Sequence, residues 1–185
     1  MFSDRPATTR SYERIEQIAQ QARVLGRLIG HSRFNIVEFI TFSLKFGLKV
    51  PLGLHFYDKI DYAVPAFVEC ENRSGITLNV EKGLWWKAEA GYPEARYILA
   101  HETGHILMHT HDKLAYSNVT SPFVASLQPE DRTEPQANLF ADLFLVPANM
   151  LEGFSQADHI AEYFDVPYDC AKRRLEMNID NKRRF

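Results

Sequence analysis

The most constraining feature of this sequence is the segment His101-Glu102-Thr103-Gly104-His105, which lies inside an apolar helical pattern. Pro93 suits the first turn of a helix, and apolar residues on both sides of the motif predict a helix over 93–111. Side chains four positions apart share one helix face, so the two imidazoles can bind one metal ion. Glu102 projects about 100° further round the helix. This places Glu102 beside the metal as a general base rather than as a ligand.

A catalytic metal site needs a third ligand. Zinc suits two imidazoles and a carboxylate, and catalytic zinc sites keep a fourth position open. One candidate is His111, ten positions after the first histidine, although Met108 stands where that spacing usually has a glycine to turn the chain. The other candidate is a carboxylate from the next predicted helix. Glu134 begins that helix, where the helix dipole alone would also favour an acid. Less favoured acids are Asp112 and Asp142.

Small residues mark one face of the helix predicted over 133–146. Thr133 and Gln136 have the spacing of a capping box, which predicts the start of this helix. The residues that share the face of its first acid are Ala137, Asn138 and Ala141. The two alanines allow a neighbouring helix to approach closely, and Gly104 offers a matching gap. Asn138, one turn after Glu134, can hydrogen-bond a ligand histidine.

The rest of the chain combines helical patterns with one block of short strands. Predicted helices cover 11–30, 35–46, a short segment after Ser155, and 168–177, and predicted strands cover 48–56, 65–71 and 75–81. The first strand contains Pro51 and Gly53 and is expected to be an edge strand or an irregular one. Residues 72–75 fit a hairpin connection and 112–132 a long loop. This order predicts an α+β fold with a small antiparallel three-stranded sheet packed on the helix that carries the motif.

Length and charge limit the kind of protein that this chain can be. Its 185 residues fit a single domain over 10–180, with a flexible tail over 1–9 and a basic tail over 181–185. The 21 basic and 24 acidic residues give a net charge of −3, which argues against direct binding of nucleic acid. We find no apolar signal sequence and no membrane-spanning segment, and the two cysteines are far apart. The expectation is a cytoplasmic protein without a disulfide.

Several segments resemble the ImmA/IrrE family of metallopeptidases. They are Arg96-x-x-x-Ala100-His101-Glu102-Thr103-Gly104-His105, Glu134-x-x-Ala137-Asn138-x-Phe140-Ala141, the strand at 75–79, and Ile160-Ala161-x-x-Phe164-x-Val166. The resemblance implies a zincin-like fold and a gluzincin-like site, with Zn2+ bound by His101, His105 and Glu134 and with Glu102 as the general base. It also implies an endopeptidase for a specific protein, such as a helix-turn-helix transcriptional repressor or an antitoxin encoded nearby.

Some questions about function stay open at the level of sequence. The alternative to a peptidase is a regulatory module that keeps the metal site and binds a transcription-factor partner without cutting it. Candidates for stabilising an oxyanion are His55, Tyr97, His109 and Tyr116. An exposed strand edge at 75–81 is the expected place for an extended substrate. Trp85-Trp86 is either an aromatic binding patch or ordinary packing.

Overall fold

The fold is a small sheet preceded and followed by helices, in a computed structural model that describes residues 4–71, 75–110 and 121–183. The helices are α1 (Tyr12–Leu25), α2 (Ile36–Glu38), α3 (Lys45–Gly47), α4 (Lys82–Glu89), α5 (Pro93–Met108), α6 (Ser121–Ser126), α7 (Thr133–Leu145), α8 (Ala157–Phe164) and α9 (Tyr168–Arg183), and a π-helical segment, Phe39–Leu44, joins α2 to α3. The strands are β1 (Leu52–Tyr57), β2 (Ala66–Glu71) and β3 (Gly75–Glu81). The predicted α+β class is confirmed. Within the described ranges, no helix has the length and apolar character needed to cross a membrane.

The sheet is mixed, with β3 at its centre in the order β1-β3-β2. β2 and β3 are antiparallel, with Ala66 opposite Val80, as predicted for a hairpin whose connection, 72–74, lies outside the described residues. β1 and β3 are parallel, with Leu52 opposite Ile76, whereas the sequence predicts antiparallel pairing throughout. The difference arises because β1 and β2 run in opposite directions, so a strand inserted between them must be parallel to one of them. β1 is an edge strand, which is one of the two predicted outcomes.

Helix α1 ends short of the predicted end near Gly30 because of a buried arginine. The guanidinium of Arg23 donates hydrogen bonds to the carbonyl oxygens of Leu28 (2.7 Å) and His31 (2.5 Å). The chain must turn back after α1 to bring these carbonyls to the guanidinium, and Arg27 adopts a left-handed φ of 55° in that turn. Burial lowers the pKa of Arg23 to about 10. A single buried cation therefore organises the connection that follows α1.

Two helices differ from the sequence prediction. α4 follows β3 directly and packs Trp85 against Phe56, with 5.1 Å between ring centroids, while Trp86 is exposed. The start of α4 has no side-chain cap and contains Gly83, so the sequence gives little indication of a helix there. α6 lies within the predicted loop at 112–132, of which 112–120 falls outside the described residues.

The N-terminal segment lies along the chain that leads into α7, in its described part. The Ala7 N–H donates to the Asp131 carbonyl (2.7 Å), and the Thr133 N–H donates to the Arg5 carbonyl (2.9 Å). Ala7 is buried. The sequence predicts a flexible tail over 1–9, whereas residues 4–10 pack against the fold in the structure. Their polar composition gives no indication of this packing.

The start of α7 is capped by the N-terminal segment. The Asp4 Oδ1 atom accepts a hydrogen bond from the Glu134 N–H (3.1 Å). The predicted capping box of Thr133 and Gln136 is wrong, because the Thr133 hydroxyl accepts from the Arg5 N–H (3.1 Å) and the Gln136 side chain donates to carbonyls outside the helix. A side chain distant in sequence supplies the cap, and a local pattern cannot indicate that.

Helices α5 and α7 pack closely at Gly104, as the small residues of both helices predict. A Cβ added to Gly104 would lie 3.3 Å from the Cα of Ala137 and 3.0 Å from the ring of Phe140. Both Ala137 and Phe140 are fully buried. The contact leaves no room for a larger side chain, and it holds the first half of α7 against the middle of α5.

Gly104→Val is expected to lower the free energy of unfolding by about 1–3 kcal/mol, the usual effect of overpacking, because the backbone of Ala137 cannot move aside. Gly83→Val in α4 is the matched control, since an added Cβ there meets the flexible carboxylate end of Glu81, at 3.1 Å. Urea unfolding of the metal-free proteins measures both effects. Equal stability of the two variants would contradict the close contact.

Candidate metal centre

Residues from two helices line a cleft of about 370 Å³. His101, Glu102 and His105 lie in the middle of α5, and Glu134 lies in the first turn of α7. The other residues that line the cleft are Val64, Pro65, Ala66, Tyr97, Ile98 and Asn138. The cleft therefore runs between the start of β2 and the packed pair of α5 and α7.

The structure brings together the four residues that the sequence singles out. The Nε2 atoms of His101 and His105 are 2.9 Å apart. The Glu134 carboxylate reaches both rings, with Oε2 3.2 Å from His101 Nε2 and Oε1 3.2 Å from His105 Nε2. Glu102 is also close, because atoms able to bind a metal on His101, Glu102 and His105 all lie within 4.8 Å of one another. These groups surround one point in the cleft.

A hydrogen bond from α7 fixes which ring nitrogen of His101 faces Glu134. His101 Nδ1 lies 2.9 Å from Asn138 Oδ1. Since an amide oxygen only accepts hydrogen bonds, Nδ1 must carry the proton. A neutral His101 then directs the lone pair of Nε2 toward the carboxylate of Glu134, which is unfavourable unless a positive charge lies between them. Asn138 has the hydrogen-bonding role that its position predicts.

The electrostatics of the cluster favour a cation at this point. Burial lowers the pKa of His101, but the hydrogen bond to Glu134 and the charge of Glu102 outweigh burial, so the pKa is raised. Burial acts to raise the pKa of Glu134, but the two imidazoles that it contacts, those of His101 and His105, lower it well below its usual range. Both pKa shifts show that the cluster favours a positive charge between the imidazoles and the carboxylate. A proton or a metal ion can supply that charge. Imidazole and carboxylate groups fit a divalent metal ion.

His105 is supported by a different set of polar side chains. Its Nδ1 atom lies 3.0 Å from His109 Nδ1, and His109 Nε2 lies 3.0 Å from Gln136 Oε1. Both His109 and Gln136 are buried and lie behind His105 rather than along the cleft. His109 follows His105 by one helical turn in the sequence, whereas the spacing of Gln136 from Thr133 suggests a cap and gives no indication of this role.

Of the candidates for stabilising an oxyanion, Tyr97 lines the cleft. His55 instead pairs within the sheet, with its Nδ1 atom 2.8 Å from Asn79 Oδ1. His109 takes part in the hydrogen bonds behind His105. Outside the described residues lie the candidate Tyr116 and the alternative ligands His111 and Asp112.

The strand edge expected to hold a substrate is not at 75–81. β3 pairs with β1 on one side and with β2 on the other, so it is the central strand. β2 is an edge strand of this sheet, and its first residue, Ala66, lines the cleft. The prediction is wrong because the order of strands depends on long-range pairing, which the alternation within one strand does not indicate.

Tyr97 is held by Arg173, a residue that the sequence does not single out for the site. Arg173 Nη2 donates to the Tyr97 hydroxyl (2.9 Å), and the guanidinium also donates two hydrogen bonds, of 2.7 and 2.8 Å, to Asp142. The sequence offers Asp142 as a less favoured metal ligand. In the structure Asp142 is buried and forms an ion pair with the guanidinium of Arg173. Burial and the charge of Asp142 raise the pKa of Tyr97, so its phenol stays protonated.

Arg173→Met is expected to lower the free energy of unfolding by about 3 kcal/mol, because it leaves the buried carboxylate of Asp142 without its cation. Adding Asp142→Asn removes that charge, so the double variant is expected to recover part of the loss. Urea unfolding of the two single variants and the double variant gives the coupling between the residues. A double variant that recovers nothing would contradict an electrostatic role for this pair.

Comparison with known proteins agrees with this geometry. The IrrE N-terminal-like domain of peptidase family M78 matches residues 77–176, which is more than half of the chain and includes α5 and α7. No curated protein matches the chain. M78 peptidases are metal-dependent, and His101, Glu102 and His105 form a cluster that could bind a metal. The resemblance to the ImmA/IrrE family is confirmed, and the chain belongs to peptidase family M78.

Proposed function

We propose that the protein is a zinc-dependent endopeptidase, with His101, His105 and Glu134 as the zinc ligands and Glu102 as the general base. The observation that carries the proposal is the convergence of the two Nε2 atoms and the Glu134 carboxylate, at separations of 2.9 and 3.2 Å. Bonds of about 2.0–2.1 Å in a tetrahedron separate neighbouring ligand atoms by about 3.3 Å. Small movements therefore suffice for these side chains to bind zinc.

Glu102 is suited to move protons in this site. It follows the first histidine on α5, its side chain is buried, and its charge acts on His101. Zinc in such a site supplies polarisation of a carbonyl oxygen and acidification of water. In the proposed reaction, Glu102 takes a proton from the attacking water and delivers it to the nitrogen of the leaving amine. Water is thereby divided between the new carboxylate and the new amine of the cleaved peptide.

Tyr97 is the residue to which we assign the developing oxyanion. It lines the cleft one helical turn before His101. Its raised pKa keeps the phenol protonated, and in the structure the hydroxyl donates to the Asn138 carbonyl (3.5 Å), so it would turn from this acceptor to the oxyanion. Arg173 positions the ring through a hydrogen bond of 2.9 Å to the hydroxyl and through its guanidinium, whose central carbon lies 5.6 Å from the ring centroid.

The proposed substrate is a specific protein, either a helix-turn-helix repressor or an antitoxin encoded nearby. Membership of a peptidase family supports a protein substrate. The resemblance of the two helix motifs to the ImmA/IrrE family supports a repressor. Val64, Pro65 and Ala66 also line the cleft and offer a surface against which an extended segment of the substrate can lie.

Glu134→Gln is expected to weaken zinc binding by more than about 100-fold, because it removes a charged ligand rather than a group that merely supports one. Glu94→Gln is the matched control, since Glu94 occupies the first turn of α5 as Glu134 occupies that of α7. Competition with a chromogenic chelator measures the affinities. Equal zinc affinity of the two variants would show that Glu134 serves only the helix dipole.

Glu102→Gln is expected to keep zinc affinity within a few-fold of the parent protein while slowing cleavage about 10²–10⁴-fold, the range for loss of a general base. The assay incubates the zinc-loaded protein with the repressor encoded beside its gene and follows fragments by mass spectrometry. Glu94→Gln serves again as the control. Undiminished cleavage by Glu102→Gln would contradict the role of Glu102.

The same incubation separates the peptidase from the alternative function. A repressor that binds in a zinc-dependent manner yet stays intact with the parent protein would favour a regulatory module that does not cut. Cleavage that the parent protein performs, and that a strong chelator stops, supports the endopeptidase.

A further inference from the structure

A row of polar side chains connects the N-terminal segment to His105. We propose that Gln136, held in place by Arg10, sets the tautomer of His109 and, through it, the tautomer of His105. His105 then presents an unprotonated Nε2 atom to the metal. Gln136 and Arg10 are positioning residues in this account, and the inference rests on the proposed role of His105 as a ligand.

The orientation of the Gln136 amide is fixed by its partners. Its Nε2 atom donates to the carbonyl oxygens of Thr8 (2.9 Å) and Glu130 (2.6 Å), and its Oε1 atom accepts from Arg10 Nη1 (3.0 Å). A flipped amide would bring its oxygen against two carbonyl oxygens and its NH₂ against a guanidinium. Gln136 is 1% exposed, so water does not offer replacement partners. Oε1 must therefore face His109.

This orientation determines the proton positions on both histidines. Gln136 Oε1 only accepts, so His109 Nε2, at 3.0 Å, carries a proton. In a neutral His109 the other nitrogen, Nδ1, then has a lone pair. His105 Nδ1, at 3.0 Å, must donate to that lone pair and so carries the proton of its ring. The Nε2 atom of His105 is left unprotonated, at 3.2 Å from Glu134.

Arg10 ties this arrangement to three parts of the fold. Its Nη2 atom donates to the carbonyl of Met108, the last residue of α5 (2.6 Å). Its Nη1 atom donates to the Thr8 carbonyl (2.9 Å) and to Gln136 in α7 (3.0 Å). Arg10 thereby holds the end of α5, the N-terminal segment and Gln136 in one geometry. Removal of its guanidinium would free the Gln136 oxygen from one of its two donors.

The first test reads the tautomers directly in zinc-free protein at mildly alkaline pH, by two-bond ¹⁵N–¹H correlation spectra of the histidine rings. The expected result for the parent protein is a proton on Nδ1 of His105 and on Nε2 of His109. Gln136→Met keeps the side-chain length but removes the acceptor, so a mixture of tautomers is expected at both rings. A parent protein with its His105 proton on Nε2 would overturn the proposal whether or not zinc binds.

The second test measures zinc affinity by chelator competition. Gln136→Met is expected to weaken zinc binding about 10–100-fold, the usual effect of losing a group that orients a ligand, and Arg10→Met to weaken it in the same direction. Arg33→Met is the matched control, because Arg33 also donates to backbone carbonyls far along the chain, those of Glu162 and Tyr163. If Gln136 and Arg10 had only a structural role, their substitution would lower the stability of the protein without changing the tautomers of the histidines.

The outcomes separate this inference from the proposed function. Gln136→Met and Arg10→Met proteins that bind zinc as tightly as Arg33→Met would overturn the inference while leaving the zinc site intact. A parent protein that binds no zinc would contradict the proposed function, and the His105 tautomer would still decide the inference. If Gln136→Met does not fold, the spectrum of the parent protein and the zinc affinity of Arg10→Met still test the inference.

Discussion

The close contact of α5 and α7 is the constraint on which the candidate site depends. Gly104 lies between the two histidines of the motif. Because it has no side chain, the Cα of Ala137 comes within 3.3 Å of the position that a Cβ of residue 104 would occupy. At this separation Glu134, in the first turn of α7, reaches both Nε2 atoms at 3.2 Å. Metal–ligand bonds tolerate changes of a few tenths of an ångström. Helix packing at a glycine therefore sets the chemistry of the cleft.

Helix α7 is in turn held by parts of the chain that are distant in sequence. At its start, Asp4 caps the N–H of Glu134, and Asp4 also pairs with Arg132. Further along, the buried Asp142 receives two hydrogen bonds from Arg173 of α9, which also holds Tyr97 at the cleft. Residues near both ends of the described chain thus fix the helix that presents Glu134. The site is a product of the whole fold, although its four central residues come from two short segments.

Local patterns predict much of this fold, and long-range contacts explain what they miss. The motif on α5 repeats at helical spacing, so sequence alone places His101, Glu102 and His105 together, and the small residues of α7 make Glu134 one of the candidates for a third ligand. The strand order and the parallel pairing of β1 with β3 depend on which segments meet, and no local pattern contains that information. The cap from Asp4 joins residues 130 positions apart. α4 has no side-chain cap and carries Gly83 in its first turn, and the packing of Trp85 against Phe56 supports its helix in the fold.

Gln136, which the sequence suggests as part of a helix cap, instead contacts His109. Two different sides of α7 therefore contribute to the surroundings of the candidate site. Successive residues of a helix are about 100° apart, so Gln136 and Glu134 point to different sides of α7. Glu134 faces the cleft, whereas Gln136 faces the end of α5, where His109 lies. On that side its amide is buried and needs partners for every polar atom, because an unsatisfied amide would cost more than the hydrogen bond is worth. The N-terminal segment supplies the carbonyl of Thr8 and the guanidinium of Arg10. Gln136 can therefore stand behind the candidate metal site because a distant segment helps to complete its hydrogen bonds.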